Sequence, residues 1–290
     1  MRNILTFDIE DWSETMLELL EIPVRRPAYP TELVVHQTLD VLEMLKGRGI
    51  KATFFVLGTV AEKYPELVSK ISAEGHEIGS HGYRHRLISR QTPEGFGRDI
   101  ALARSTLRSI TQQEIVSYRA PCFSITTKTR WALDVLADHG FQYDSSIFPI
   151  RRPLYGIPGA ARFIHQVRTH NGASIVELPL STLRYFNINF PVAGGGYFRL
   201  TPYWFTRWAI RRINNGGHPA IVYIHPHDLY ERPPLPEEIR RRRGRRSGAV
   251  SEVILKLQAL GRRGPRKKFV RLLDEFEFTS IRGALGAQQA

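Results

Sequence analysis

A single cysteine, Cys122, in 290 residues leaves no internal disulfide to be made and agrees with a reducing compartment. No apolar run approaches the roughly 20 residues that span a bilayer, so no transmembrane helix is expected. The opening Met1-Arg2-Asn3-Ile4-Leu5-Thr6-Phe7-Asp8 passes from one basic residue to a carboxylate without the roughly 7–15 apolar residues of a signal peptide. It leads to the expectation of a cytoplasmic protein. The chain has no glycine-rich GxGxxG turn, which argues against a dinucleotide-binding sheet, and no internal repeat. It has no helix-turn-helix, zinc finger or aromatic-studded RNA motif, which argues against sequence-specific nucleic-acid binding.

What is present is ordinary globular composition, 42% hydrophobic and 24% charged, in a length that fits one large α/β domain or two small ones. The net charge of +13 is uneven. Much of the excess lies in Arg240–Arg246 and Arg262–Lys268, a pattern that suits an acidic partner: nucleic acid, an anionic membrane surface or an acidic polymer.

Strand-type apolar runs alternate with amphipathic helix-type segments, the signature of parallel βα architecture. Residues 4–7, 52–56, 77–79, 115–118, 174–178 and 220–224 read as strands. Between them, Val35, Leu39, Leu42 and Leu45 share one helix face. Residues 60–74, 92–109 and 127–139 read as further helices, with Thr92 as N-cap before Pro93, and Thr201-Pro202 opens another. About seven strands without a dinucleotide turn predict a distorted (β/α) barrel over residues 1–234. Residues 235–290 are expected as a basic helical extension, with stripes Val250, Ile254, Leu257, Leu260 and Phe269, Leu272, Leu273, Phe276 packed back on the barrel. The reactive side chains Asp8, Glu10, His81, Arg119 and His225 all fall at C-terminal strand ends, the active rim of such barrels.

His81 and His85 stand four apart just after a short apolar run, and can grip one metal ion. The segment 6–12, with Asp8, Glu10 and Asp11, supplies the carboxylates that a mixed N/O site for a divalent metal needs. Residues two apart on a strand face the same side, so Glu10 shares the face of Asp8 and is preferred as the third ligand, with Asp11 as the alternative.

Thr6-Phe7-Asp8-Ile9-Glu10-Asp11, Ser80-His81-Gly82-Tyr83-Arg84-His85, Arg119-Ala120-Pro121, Asp144-Ser145-Ser146 and Ile224-His225-Pro226 resemble, in order, the five motifs of the polysaccharide deacetylases, carbohydrate esterase family 4. The likeness covers roughly residues 1–230. Residues 193–199 and 223–226 further resemble the branch found in exopolysaccharide loci with exosortase systems. The resemblance implies a divalent metal, zinc first with nickel, cobalt or iron as alternatives, and hydrolysis of an N-acetyl amide on an amino sugar. It implies Asp8 as general base, held by Arg119, and His225 as general acid, its imidazolium maintained by Asp144. The first motif departs from the family's two adjacent aspartates, since Ile9 follows Asp8. The third motif usually carries an aromatic residue after proline, where this chain has Cys122 and then Phe123. Pro121, Cys122, Phe123 and Ser145 fall to the substrate side of the site, the backbone N–H after Pro121 as an oxyanion donor. Trp12 is expected to stack on a sugar ring or to pack at the rim, and His227 to contact the sugar or support His225. Cys122 reads as a packed thiol, and Trp131, Trp204 and Trp208 as helix packing.

The functional expectation is a metal-dependent deacetylase acting on a polysaccharide or its lipid- or nucleotide-linked precursor, lodged in the cytoplasm or at the inner face of the membrane. Its two basic segments would meet anionic lipid. The alternatives are removal of a formyl group from a lipid-linked amino sugar, metal-free hydrolysis of a cyclic amide, and a non-catalytic glycan-binding protein.

Overall fold

The computed structural model describes residues 1–12, 30–152, 155–192, 194–231 and 260–286. Arg240–Arg246 and the stripe residues Val250, Ile254 and Leu257 lie outside them. The strands are β1 Asn3–Ile9, β2 Thr53–Val56, β3 Glu77–Ser80, β4 Ser117–Tyr118, β5 Tyr143–Asp144, β6 His165–Arg168, β7 Ser174–Glu177, β8 Thr182–Tyr185, β9 Ile188–Pro191, β10 Ile221–Ile224 and β11 Phe278–Thr279. One sheet runs β10-β1-β2-β3-β4-β5-β7-β6. Its first seven strands are parallel, as expected of the barrel, and β6 adds antiparallel to β7 at the edge. Between β10 and β7 the wall is made by extended chain. There the Ile221 N–H donates to Ser181 Oγ at 2.7 Å, and Gly194 bridges Tyr223. Only glycine suits that bridge, because a Cβ at Gly194 would sit 2.0 Å from the Tyr223 ring.

The helices are α1 Leu33–Lys46, α2 Gly58–Lys63, α3 Pro65–Ala73, α4 Pro93–Thr111, α5 Trp131–Asp138, α6 Gly195–Leu200, α7 Tyr203–Asn215, α8 Pro265–Glu275 and α9 Ile281–Leu285. The single helix expected over 60–74 is two, because Pro65 has no N–H to continue α2 and instead opens α3 at its first position. At α4 the Thr92 Oγ accepts the Gly95 N–H at 3.1 Å, the cap read from sequence.

Alternation along β1 divides its side chains between two interiors. Leu5, Phe7 and Ile9 pack under the helices, whereas Ile4 joins Phe55, Leu178, Ile221, Ile281 and Leu285 inside the barrel. Ile281 and Leu285 come from the C-terminal segment, where β11 also pairs with Asn3 and Ile4 of β1, and Phe269 of α8 meets Phe7 edge-on at 6.0 Å. Helix α8 thus packs on the outside of the barrel, as its stripe predicts, whereas β11 and α9 join the sheet and close its N-terminal end.

The Arg262–Lys268 run is divided: Arg263, Arg266 and Lys267 are exposed, whereas Arg262 and Lys268 turn to backbone carbonyls. Arg262 is buried and donates to the carbonyls of His227 at 2.9 Å and Tyr230 at 3.1 Å. Lys268 donates to Thr201 O at 2.6 Å and to Phe198 O, and burial pushes its ammonium down to about 8. Arg266 pairs with Asp40 at 2.8 Å. Among the described residues no helix is long and apolar enough to cross a membrane.

Candidate active site

Strand β1 carries Ile4, Thr6 and Asp8 on its inward face, and Glu10 continues that face just past the strand. The barrel interior thus changes along its axis from hydrocarbon to hydroxyl to carboxylate. At the level of Thr6 and Asp8 lies Arg119, fully buried after β4. Its guanidinium donates to Thr6 Oγ1 and to Asp8 Oδ1, both at 2.8 Å, and to Ser145 O at 3.0 Å and Ser145 Oγ at 2.8 Å. It also lies 4.3 Å over the Phe55 ring. Such a buried cation needs every donor occupied. Ser145, expected on the substrate side, is instead buried: it buttresses Arg119 and donates its own hydroxyl to Leu178 O at 2.8 Å.

Glu10 is 4% exposed and faces imidazoles. One oxygen, Oε2, lies 2.6 Å from His85 Nε2 and 3.2 Å from His81 Nε2, and Oε1 is 3.5 Å from His225 Nε2. Burial opposes its charge, but His85, His225 and the hydrogen bonds from His81 and His85 outweigh it and hold the carboxyl well below the usual range. His81 has its Nδ1 2.8 Å from the Arg119 carbonyl, so the ring donates there, which fixes its plane and leaves Nε2, 3.2 Å from Glu10 Oε2, as the atom a cation would take. Glu10, His81 and His85 each offer one ligand atom within 4.8 Å of the others, and Glu10, His225 and His227 do the same. The residues fit a divalent cation: two imidazoles and a carboxylate converge, and one imidazole is already oriented by a backbone carbonyl. Asp11 is drawn elsewhere, its Oδ2 accepting from the Thr31 backbone N–H at 2.6 Å and from the Thr31 hydroxyl. Strand alternation thus separates two carboxylates that the sequence places side by side.

His225 follows β10 and starts the short 3-10 turn Pro226–Leu229. Its Nε2 reaches 3.8 Å from Asp8 Oδ2, and its Nδ1 lies 2.9 Å from Asp228 Oδ2. Burial works against the imidazolium, yet Glu10, Asp228 and Asp8 prevail and raise its pKa to about 9. The carboxylate on this histidine is therefore Asp228, not Asp144. Asp144 points into the barrel wall, where it accepts from Ser146 Oγ and hydrogen-bonds Glu177. Burial pushes both of those carboxyls up, Glu177 most. Asp228 was open to discovery in sequence. A proline after His225 and an acid three residues on form an N-cap pattern, and the same Oδ2 lies 3.2 Å from the His225 backbone N–H. Its other oxygen pairs with buried Arg199 at 2.9 Å.

His227 lies flat against His225, ring centroids 4.8 Å apart and planes 11° apart. Burial drives its pKa down to about 3, so it stays neutral beside the charged ring. Pro121 is buried. Cys122 and Phe123 both take left-handed backbone, at φ 51° and 52°. Phe123 is buried against Phe148, Tyr155 and Tyr223 and contributes to an aromatic wall rather than a free sugar platform. Trp12 is 6% exposed, which leaves little ring face for a sugar and favours rim packing.

A family model for polysaccharide deacetylase matches residues 29–143, and one described as a domain of unknown function, DUF3473, matches residues 145–286. The chain carries a polysaccharide deacetylase domain. Its model spans His81, His85 and Arg119, while Asp8 and Glu10 precede it and His225 and Asp228 lie in the second match. The deacetylase domain is similar to a chitooligosaccharide deacetylase of Bradyrhizobium, 35% identical over 34% of this chain and 43% of that protein. It is also similar to a peptidoglycan-N-acetylglucosamine deacetylase of Bacillus cereus, 33% identical over 33% and 36%. The matches thus span less than half the length of these curated relatives. Among solved structures, an allantoinase superposes with TM-score 0.60 at 16% identity over 96% of this chain and 86% of its own. A Mycobacterium smegmatis protein assigned to the polysaccharide deacetylases gives 0.57 at 19% over 95% and 85%. At such identities both show the deacetylase barrel fold alone.

Proposed function

We propose that the protein is a metal-dependent amidohydrolase that removes N-acetyl groups from amino sugars of a polysaccharide or of its lipid- or nucleotide-linked precursor. The observation that carries this reading is the convergence of Glu10, His81 and His85 on one point, with Asp8 and His225 beside it. Similarity to deacetylases of chitooligosaccharide and peptidoglycan supports the amide of an N-acetylated glycan as the target.

His81, His85 and Glu10 would hold the ion. A divalent cation there supplies a Lewis acid for the acyl carbonyl and lowers the pKa of water toward neutrality. Asp8 accepts the proton of the attacking water on Oδ2, the oxygen that Arg119 leaves free of its own hydrogen bond. Arg119 fixes the carboxylate's orientation through the other oxygen. His225 donates a proton from Nε2 to the departing amine, and Asp228 on Nδ1 keeps that imidazole charged until transfer. The stacked His227 fixes the plane of the donor ring.

The test is release of small carboxylic acids from N-acetylated and N-formylated amino-sugar oligomers and lipid-linked precursors, with zinc and with chelator. Acetate that needs metal and disappears in Asp8→Asn supports the proposal. Formate in its place moves the substrate to a formylated sugar, and no acid from any of them despite bound metal sinks the enzymatic reading.

A further inference from the structure

From Leu178 to His227 the chain contains no aspartate and no glutamate, although it has 28 acidic residues in all. Of the five arginines there, Arg199 pairs with Asp228 and Arg207 and Arg211 with Glu275, which leaves Arg184 and Arg212 to the exposed face. Most of the exposed large apolar side chains among the described residues gather there too. Strands β8 and β9 form a separate two-stranded hairpin, paired from Thr182 with Pro191 to Tyr185 with Ile188. Its turn is Phe186-Asn187, both left-handed at φ 43° and 60°. A turn of this kind prefers Asn-Gly, and phenylalanine there is strained. That phenylalanine is also 84% exposed, beside Tyr185 at 65%, Ile188 at 59% and Phe190 at 45%. Water favours neither the backbone nor the side chain of this tip.

The base of the hairpin opens on a cleft of about 400 Å³ lined by Arg162, Arg184 and Arg212, with Leu183 and Phe163. Burial and the nearby Arg184 both lower the Arg162 pKa, the mark of like charges gathered together. Arg212 ends a stripe on α7 whose earlier members, at spacings of four, are Trp204 and Trp208, 68% and 51% exposed. These tryptophans are not helix packing, as their sequence suggested. The strip thus joins an aromatic tip, two interfacial indoles and an arginine cleft.

We propose that hairpin β8–β9 and the Trp204–Trp208–Arg212 stripe form a docking surface for an anionic phospholipid monolayer, the aromatic tip entering the headgroup layer and the arginines receiving phosphates. The apolar part is a convex projection, which a fluid interface accommodates without a complementary groove. Tryptophan, tyrosine and arginine are the side chains whose apolar bodies and polar ends suit that depth. A second copy meeting this face symmetrically would set Arg162, Arg184 and Arg212 of one cleft against those of the other. The inference goes beyond the deacetylase reading and stands or falls apart from it.

The test is flotation of the full chain with vesicles of phosphatidylcholine alone and of phosphatidylcholine with about 30% phosphatidylglycerol. The expected result is recovery with the anionic vesicles, reduced about tenfold or more in Phe186→Ser/Ile188→Ser and in Arg184→Gln/Arg212→Gln. Hydrolysis of a soluble oligosaccharide and thermal melting should match the parent in both variants. Tryptophan emission should shift to the blue on the anionic vesicles, and Trp204→Phe/Trp208→Phe should remove the shift. Equal recovery on neutral vesicles, no recovery on either, or undiminished recovery of the hairpin variant would overturn the proposal. A dimer that the hairpin variant splits would assign the surface to a second copy, and retention on an acidic polysaccharide but not on vesicles would assign it to glycan.

Discussion

Two glutamates are buried at opposite ends of the same barrel, Glu10 at the rim and Glu77 near the closed end, 4% and 5% exposed. Glu77 accepts from Thr53 Oγ1 at 2.8 Å, from the Arg282 backbone N–H at 2.9 Å and from Ser117 Oγ. Its hydrogen-bond donors are neutral and come from two neighbouring strands and the C-terminal segment, with the Arg282 guanidinium 3.9 Å away, and none of these groups exchanges protons or binds a metal. Glu10 faces three imidazoles, groups that exchange protons and bind metals. Burial alone does not make a carboxylate functional: what surrounds it does. Glu77 fastens β2, β3, β4 and the start of α9, so that the closed end stays rigid while the rim carries the reactive groups.

The largest expected effect at the rim is on Asp8. Replacing it with Asn keeps an oxygen for Arg119 and removes the proton acceptor, so kcat/KM should fall about 10³-fold with the melting temperature within a few degrees of the parent. A comparable loss of stability would mean that Asp8 serves mainly to neutralise Arg119.

Next in size, the two glutamates should separate under the same substitution. Glu10→Gln is expected to weaken zinc binding, read by titration calorimetry, about 100-fold or more. Glu77→Gln should leave zinc affinity and kcat/KM within about twofold while lowering the unfolding free energy by about 2 kcal/mol, since one donor loses an acceptor oxygen. If Glu77→Gln weakened metal binding as much as Glu10→Gln, the division between the two ends would be wrong.

A third test uses charge. With the folded pKa of His225 raised to about 9, above the usual 6.5, the imidazolium contributes stability that is fully present below about 6.5 and is lost as pH rises through about 9. Asp228→Asn should bring the His225 titration, followed by NMR in chelated protein, down toward the ordinary value and flatten that slope. Asp144→Asn should leave the titration in place, because Asp144 hydrogen-bonds Ser146 and Glu177 instead. The opposite pattern would restore Asp144 as the partner.

Strand polarity made much of this site legible in sequence. Because β1 alternates, its sequence favours Glu10 over Asp11, and because βα barrels present strand ends, the sequence alone brings His81, Arg119 and His225 to one rim. Asp228 was missed because its pairing with His225 depends on a 3-10 turn of four residues, which has no periodic signature. The hairpin escaped because its exposed strands have the apolar residues that elsewhere mark a core. The C-terminal segment was legible only in part: charge in a sequence reads as surface, whereas Arg262 is buried and Lys268 half-buried on backbone carbonyls. Carbonyls leave no trace in composition.

The smallest effect expected follows from that last point. Arg262 reaches from the C-terminal segment to the carbonyls of His227 and Tyr230, on either side of Asp228. Burial, together with Arg199, lowers its pKa to about 10, so it remains charged at neutral pH. Arg262→Gln should lose about 1–2 kcal/mol of stability as these acceptors lose a charged donor. It should reduce kcat a few-fold while leaving the His225 titration near about 9, since Asp228 keeps its own contacts to His225 and Arg199. A titration shifted as far as in Asp228→Asn would instead mean that the C-terminal segment sets the charge of the acid and not only its position.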